Sequence, residues 1–342
     1  MFKTTLKTVT AALGLATASL AIAVPAVQAH VAPAAQDAAV RTATGPAEPC
    51  DIAASYHSSC VAAYSTTRAL YRKYREPLYR VRRASDGKSL TIYPVKAGGA
   101  ASTGPQNKFC HGTRCSITVI YDQSGHGNAL APAPAGTANG TADKPTRAGA
   151  APVRVDGRAV YGVSITPGVG YRDDGARRTA SGQKPEGIYE VVAGNHTNNQ
   201  CCFDFGNAER GNRDNGSGHM EAIYYGSFPS PAGTAPSVKA DTENGLPFSG
   251  GPATYRFTTA MLTDDGAHFQ VLHGNASSGG LTAERDFSSP AHKEGAIVLG
   301  IGGDNSNWAK GTFYEGIMTS RALPRAALNA IQANIVAARY RP

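Results

Sequence analysis

The chain has 342 residues, 33 Lys and Arg against 25 Asp and Glu, and a formal charge of +8; charged residues make up 17% and hydrophobic residues 41%, with 39 Gly and 21 Pro. This balance excludes a coiled coil, a collagen-type repeat and a highly charged disordered chain. It fits one large all-β domain or two smaller domains, with a core big enough that disulfides would only supplement it.

At the N-terminus, Lys3 and Lys7 precede an apolar run from Val9 to Val24, Pro25 breaks it, and Val27-Gln28-Ala29 offers small residues before His30. The pattern predicts a secretory signal peptide over residues 1–29 and a secreted, extracellular mature protein with no membrane insertion. Residues 30–48, rich in Ala, Pro and Thr, read as a flexible leader. Residues 49–342 read as one folded domain. An amphipathic stretch from Ser65 to about Lys73, stopped by Pro77, reads as a helix. A basic stretch overlaps it: Arg68, Arg72, Lys73, Arg75, Arg80, Arg82, Arg83 and Lys88, interleaved with Tyr71, Tyr74 and Tyr79. Such interleaving suits single-stranded nucleic acid. In an exported chain with no nucleic-acid module, a solvated basic face or one that adheres to acidic polysaccharide is the better expectation, and no nucleic-acid partner is expected.

Further along, short strands are predicted at Ser116–Tyr121, Gly187–Val192, Glu221–Tyr225, Val238–Thr242, Tyr255–Met261, His268–Leu272, Ala296–Ile301 and Phe313–Met318, separated by Gly, Pro, Asn and Asp. Without helical intervals between them, they point to a sandwich or barrel rather than βαβ units. Ala131–Ala151 reads as a surface loop. The chain closes with a helix from Pro324 to about Arg339, with Leu328, Ile331 and Ile335 on one face.

There are six cysteines, at 50, 60, 110, 115, 201 and 202. In an oxidising compartment, local spacing favours Cys50–Cys60 and Cys110–Cys115. Cys201 and Cys202 either close a strained ring or face opposite sides of a strand and stay reduced. No CxxC or CxH spacing supports a metal site.

No GxSxG elbow and no HExxH is present. Asp122-Gln123-Ser124-Gly125-His126-Gly127-Asn128 holds an Asp, a Ser and a His, but reads as a tight turn. Carboxylates remain. Glycoside cleavage uses two of them about the scissile bond, one charged and one protonated, and needs neither metal nor organic cofactor. The candidates at strands or strand ends are Asp204, Glu209, Glu221, Asp241, Glu243, Asp304 and Glu315. Asp241 and Glu243, at i and i+2, would share one face of a strand, and Asp304 follows Gly302-Gly303 at a strand exit.

Several long strings go further: PCDI at Pro49–Ile52, STTRALY at Ser65–Tyr71, YRVRRASDG at Tyr79–Gly87, IYDQSGHGN at Ile120–Asn128, CCFDFGNAE at Cys201–Glu209, GHMEAIY at Gly218–Tyr224, KEGAIVLGIGGDNSN at Lys293–Asn307 and GTFYEGIMTS at Gly311–Ser320. Through them the chain, from about Pro49 to about Arg339, resembles the catalytic domain of secreted α-L-arabinofuranosidases of the B type, glycoside hydrolase family 54. The resemblance implies an all-β, concanavalin A-like β-sandwich (jelly roll) with a short C-terminal helix. It implies exo-acting removal of terminal L-arabinofuranosyl groups from arabinan, arabinoxylan or arabino-oligosaccharides, with retention through a covalent intermediate. Glu243, in Asp241-Thr242-Glu243-Asn244, falls on the nucleophile, and Asp304, in GGDN, on the acid/base. Asp241, Asn244 and Gly303 fall on positions that contact the sugar, and Leu246 on a pocket-wall position. A vicinal Cys201–Cys202 disulfide packing against the sugar is implied too. Glu221, in GHMEAIY, is tempting, but the resemblance does not make it the nucleophile.

The chain departs from the family pattern in three places. Asn244 is followed by Gly245, the segment Ser227–Ser237 holds no pocket tryptophan, and the single Trp is Trp308. The family's C-terminal arabinose-binding domain is not found after the terminal helix, so weaker attack on insoluble polymers is expected. Retention requires the two carboxyls to stand roughly 5–6 Å apart. A monomer acting on carbohydrate is expected. The competing readings are a non-catalytic, lectin-like module and a glycosidase for another furanoside.

Overall fold

The computed structural model describes residues 47–244 and 248–342. The predicted signal peptide, almost all of the leader, and Leu246 lie outside the described residues.

Two large antiparallel sheets form a β-sandwich. One has eight strands, in the spatial order Leu281–Ser288, His268–Asn275, Phe257–Asp264, Glu186–Ala193, Gly311–Thr319, Arg158–Ile165 and Ala151–Val155, with Cys60–Ser65 also paired to Gly311–Thr319. The other has seven, in the order Phe248–Pro252, Ser237–Asp241, Glu221–Gly226, Asp204–Ala208, Ala296–Leu299, Tyr171–Asp173 and Ala131–Pro132. A small sheet of Ser89–Ile92, Tyr79–Arg83 and Cys115–Ile120 completes the described strands. The central strands Glu186–Ala193 and Gly311–Thr319 are buried at every residue, whereas Ala151–Val155, at the end of its sheet, alternates buried and exposed as a one-sided strand should. Phe205 bridges the core, 5.1 Å from the Phe313 ring and edge-on to Tyr64 at 6.1 Å.

Helix Arg325–Ala337 begins after Pro324 and buries Leu328, Ile331 and Ile335, the face its sequence period marks. It packs against a helix missed in the sequence, Pro49–Ser55, whose start has Pro49 in the first turn and the Glu48 N–H donating to Asp51 Oδ2 at 3.0 Å. No helix among the described residues is long and apolar enough to cross a membrane.

The helix expected from Ser65 to Lys73 is absent. Ser65 ends a strand, and its Oγ accepts the N–H groups of Thr67 and Arg68, at 3.0 and 3.1 Å, in place of helical carbonyls. Arg68, counted in the basic stretch, is buried and pairs with Glu48 at 2.7 Å and Glu315 at 2.5 Å. The basic stretch is therefore not one solvated face. Arg68 lies inside, and Arg83 holds Asp86 at 2.6 Å and covers the Phe109 ring at 4.5 Å, leaving Lys73, Arg75, Arg82 and Lys88 exposed. The Asp122–Asn128 segment is the turn it reads as. Asp122 accepts the N–H groups of Ala63, Ser124 and Asn128 and the Ser124 hydroxyl.

The structure pairs Cys50 with Cys60, Cys110 with Cys115 and Cys201 with Cys202. The first ties the N-terminal helix to its neighbouring strand. The second closes the turn after helix Thr103–Phe109.

Candidate active site

Three segments meet at the seven-stranded sheet: Cys201–Glu209, which contains strand Asp204–Ala208; Asp241–Asn244, which leaves strand Ser237–Asp241; and the turn after strand Ala296–Leu299. Backbone bonds lock the first to the third. Cys202 N–H donates to Ser306 O at 3.1 Å and Trp308 N–H to Cys201 O at 3.0 Å. The vicinal disulfide thereby sits between two acidic segments. Cys202 Sγ lies 3.8 Å from Asp241 Oδ2 and 3.6 Å from Ser306 Oγ. On the third segment, Asp304 Oδ1 accepts the Ser306 N–H at 2.9 Å and shapes the turn.

The second segment differs from the expected strand pairing of Asp241 with Glu243. The strand ends at Asp241, and Glu243 and Asn244 take φ values of 69° and 55°. In this left-handed region a side chain other than glycine costs about 1–3 kcal/mol, and such residues gather at functional sites. The turn is held by Asp241 Oδ1, which accepts the Glu243 N–H at 3.0 Å. Glu243 is thus re-aimed by a turn instead of standing beside Asp241 on a pleat. Exposed Asn244 donates to Asp214 Oδ1 at 3.2 Å.

Gly302 and Gly303 are there because nothing larger fits. A Cβ on Gly302 would meet Ser306 Oγ and lie 3.2 Å from Cys202 Sγ; one on Gly303 would collide with Glu209 Oε2 and lie 3.0 Å from Glu243 Oε2. Glu209 and Glu243 therefore converge on the Gly303 backbone. Arg172, on strand Tyr171–Asp173 and buried, fastens this corner by donating to Gly303 O at 2.8 Å, to Glu209 O and to Asp174 Oδ1 at 2.6 Å. No string quoted above contains Arg172, and Ser306 lies in KEGAIVLGIGGDNSN without an assigned role; both act through the backbone of neighbours distant in sequence.

The electrostatics are those of acids crowded out of water. Asp204 is fully buried, and burial first, then the charges of Asp241 and Glu243, holds its carboxyl well above the usual range. This favours its protonated form beside Asp241. Asp241 is itself pushed up to about 6, by burial and then by Asp304. Burial is also the largest influence on Glu209 and Glu243, raising both, and the charge of Glu209 raises Glu243 further. Asp304 acts on Glu243 and Asp241 through its charge, which places all three in one electrostatic neighbourhood.

Two groups have ligand-like spacing. Oxygens of Glu209, Asp214 and Glu243 lie within 4.8 Å of one another, as do the sulfurs of Cys201 and Cys202 and an oxygen of Asp241. The sulfurs are spent in a disulfide and offer no thiolate. Three oxygens would suit a hard cation but fall short of the six to eight that calcium takes.

The remaining candidates lie elsewhere. Glu221 binds Lys293 Nζ at 3.0 Å, in a buried cluster with Asp264 and with Glu186 at 3.7 Å. Glu315 binds Arg68. Trp308 is exposed beside the disulfide segment.

Residues 49–341 match the family model described as alpha-L-arabinofuranosidase B, catalytic. The chain is 49% identical over 317 residues to alpha-L-arabinofuranosidase B of Aspergillus oryzae, covering 86% of this chain and 62% of that protein. To alpha-L-arabinofuranosidase of Hypocrea jecorina it is also 49% identical, over 86% of this chain and 63% of that one. A crystal structure of an arabinofuranosidase complexed with arabinofuranosyl-α-1,2-xylobiose superposes with a TM-score of 0.82 at 45% identity, covering 86% of this chain and 65% of that chain. A GH54 α-L-arabinofuranosidase variant soaked with 4-nitrophenyl α-L-arabinofuranoside gives the same TM-score and identity, over 86% and 66%. The chain thus spans somewhat under two thirds of the length of the curated relatives it matches. With almost all of the described fold inside the matched range, this chain belongs to the α-L-arabinofuranosidase B catalytic family.

Proposed function

We propose that the protein is a secreted, exo-acting α-L-arabinofuranosidase that cleaves terminal arabinofuranosyl groups with retention. The observation that carries this reading is the convergence of Glu243, Asp241 and Asp304 beside the Cys201–Cys202 ring, away from the cation-bound acids of the fold. In this mechanism Glu243 attacks the anomeric carbon while Asp304 protonates the departing oxygen. Water then enters with Asp304 as base and releases arabinose from the Glu243 ester. This requires the two carboxyls about 5–5.5 Å apart across the bound sugar. Asp241 holds the Glu243 turn and would accept a sugar hydroxyl on its second oxygen. The disulfide offers an apolar face to the ring, and Asn244 and the Gly303 backbone would complete the sugar contacts. Relatives named for the same activity, and a neighbour holding an arabinofuranosyl xylobiose, support the choice of sugar. The signal-like Lys3–Ala29 segment and three disulfides support secretion.

The test is a panel of 4-nitrophenyl furanosides. The α-L-arabinofuranoside should be cleaved far faster than galactofuranoside or D-arabinofuranoside, and Glu243→Gln should abolish turnover while sugar still binds. Sugar binding without turnover in the unaltered protein would identify a lectin instead.

A further inference from the structure

Glu209 is an acid of this corner to which the mechanism above gives no role. It is 0% exposed, directly follows strand Asp204–Ala208, and neither carboxyl oxygen meets a hydrogen-bond donor among the described residues. A buried ionised carboxylate left so would be costly, which argues for a proton held nearby. Its oxygens point at the Gly303 backbone, where Glu243 also converges, and the two carboxyls approach within 4.8 Å. Two acids at that separation, largely out of water, do not both ionise readily; the pair binds one proton between them.

We propose that Glu209 is a positioning residue for Glu243: the two carboxyls share a single proton, and Glu209 takes it as the sugar binds, leaving Glu243 negatively charged for attack. This rests on the hydrolase reading above and adds a residue to it. The step balances. The proton passes from a Glu243 oxygen to a Glu209 oxygen across one hydrogen bond, with no net charge change. Glu243 then forms the bond to the anomeric carbon as the glycosidic bond breaks, and the leaving oxygen takes its proton from Asp304. After attack Glu243 is an uncharged ester and Glu209 is an uncharged acid, so the buried corner carries less charge than before. When water releases the sugar, the pair again holds one proton and one charge.

The surroundings favour such an exchange. The groups acting on the pair are Asp241 from strand Ser237–Asp241, Asp204 from its own strand, Asp304 from the Gly302–Asn307 turn, Asp214 from the loop after Glu209, and Arg172 from strand Tyr171–Asp173. All but Arg172 are acids. Burial raises both members of the pair, Arg172 draws Glu209 back down and the charge of Glu209 raises Glu243 further, so the shared proton rests on Glu243 until the sugar binds. Arg172 also fixes the Glu209 carbonyl, so the Glu209 backbone stays in register with Gly303.

The experiment combines carbon-13 NMR titration of glutamate side-chain carboxyls with steady-state kinetics on the unaltered protein and on Glu209→Gln, Glu209→Ala and Glu243→Gln. The expected spectrum of the unaltered protein has a glutamate step well above the normal carboxylate range. Glu209→Gln should remove that step and return Glu243 to a lower range. Glu209→Ala should lose about tenfold or more in kcat with KM changed less than threefold, and Glu209→Gln, which still donates a hydrogen bond to Glu243, should recover part of the loss. Thermal unfolding checks that each variant folds. Persistence of the raised step in Glu209→Gln, or an unaltered kcat in Glu209→Ala, overturns the proposal. The two readings fail differently: protein with the raised step but no arabinose release refutes the hydrolase and leaves the shared proton standing, whereas active protein without that step refutes the pair alone.

Discussion

Two groups of acids in this fold differ in what surrounds them, and the difference separates scaffold from chemistry. In the first group, acids surround a buried cation: Glu186, Glu221 and Asp264 about Lys293, and Glu48 and Glu315 about Arg68. In the second, burial first and then the charges of neighbouring acids raise Asp204, Glu209, Asp241 and Glu243, with Asp304 beside them, and the nearby cation, Arg172, bonds backbone carbonyls and Asp174 instead of their carboxyls. In the first group the cation pulls Glu48, Glu186 and Glu221 down against the burial that raises them, and ties them into the scaffold. Raised by burial and by one another, Asp204, Glu209, Asp241 and Glu243 hold a proton more readily than free carboxyls, which is a property that acid–base chemistry uses.

Substitutions on the two sides should therefore fail in opposite ways. After the loss of turnover at Glu243→Gln, the largest effect is expected at Asp304. Asp304→Asn should cut turnover of arabino-oligosaccharides by roughly 10²–10⁴-fold, the usual worth of a general acid, with a smaller loss on 4-nitrophenyl glycosides whose leaving group needs little protonation. The midpoint of thermal unfolding should barely move. Lys293→Met should do the reverse. Leaving three buried acids without their cation should cost about 3–5 kcal/mol in denaturant unfolding, while the folded fraction keeps its kcat. A large kcat loss in folded Lys293→Met would dissolve the distinction.

Smaller effects sharpen it. Replacing both Cys201 and Cys202 by Ala removes the apolar ring and should raise KM about tenfold, equivalent to roughly 1.4 kcal/mol of lost contact, with kcat nearly retained. Glu190 probes a buried acid that belongs to neither group. It is 1% exposed, its oxygens lack donors among the described residues, and burial holds its carboxyl well above the usual range. A group whose folded pKa is raised contributes its full stability below its unfolded pKa and loses it as pH rises. Glu190→Gln should therefore match the unaltered protein near pH 4 and unfold a few degrees higher at pH 7–8. A gain that is largest in acid would contradict the assigned protonation state.

Much of the fold was legible from local pattern. Every predicted strand has an observed counterpart, because each alternates or runs apolar between turn residues, and the closing helix shows its buried face in Leu328, Ile331 and Ile335. Ser65–Lys73 misled because helical spacing says nothing about Arg68, whose partner Glu315 lies 247 residues away. The acids posed the same problem. Glu221 and Glu243 look alike along the chain, and only Lys293, 72 residues beyond Glu221, tells them apart. The family strings supplied what spacing lacked for Glu243 and Asp304. They gave no role to Glu209, the last residue of CCFDFGNAE, whose significance lies in its approach to Glu243 at the Gly303 backbone once the chain is folded.

The account stands on Glu243 as the group that reaches the sugar carbon. Its most direct test is to trap the intermediate with an arabinofuranose-configured cyclic sulfate and map the label by mass spectrometry of peptides. A single pentose-derived adduct on Glu243, absent from Glu243→Gln, is the predicted result. An adduct on Glu209 or Glu221, or steady hydrolysis with no labelled carboxylate, would contradict it.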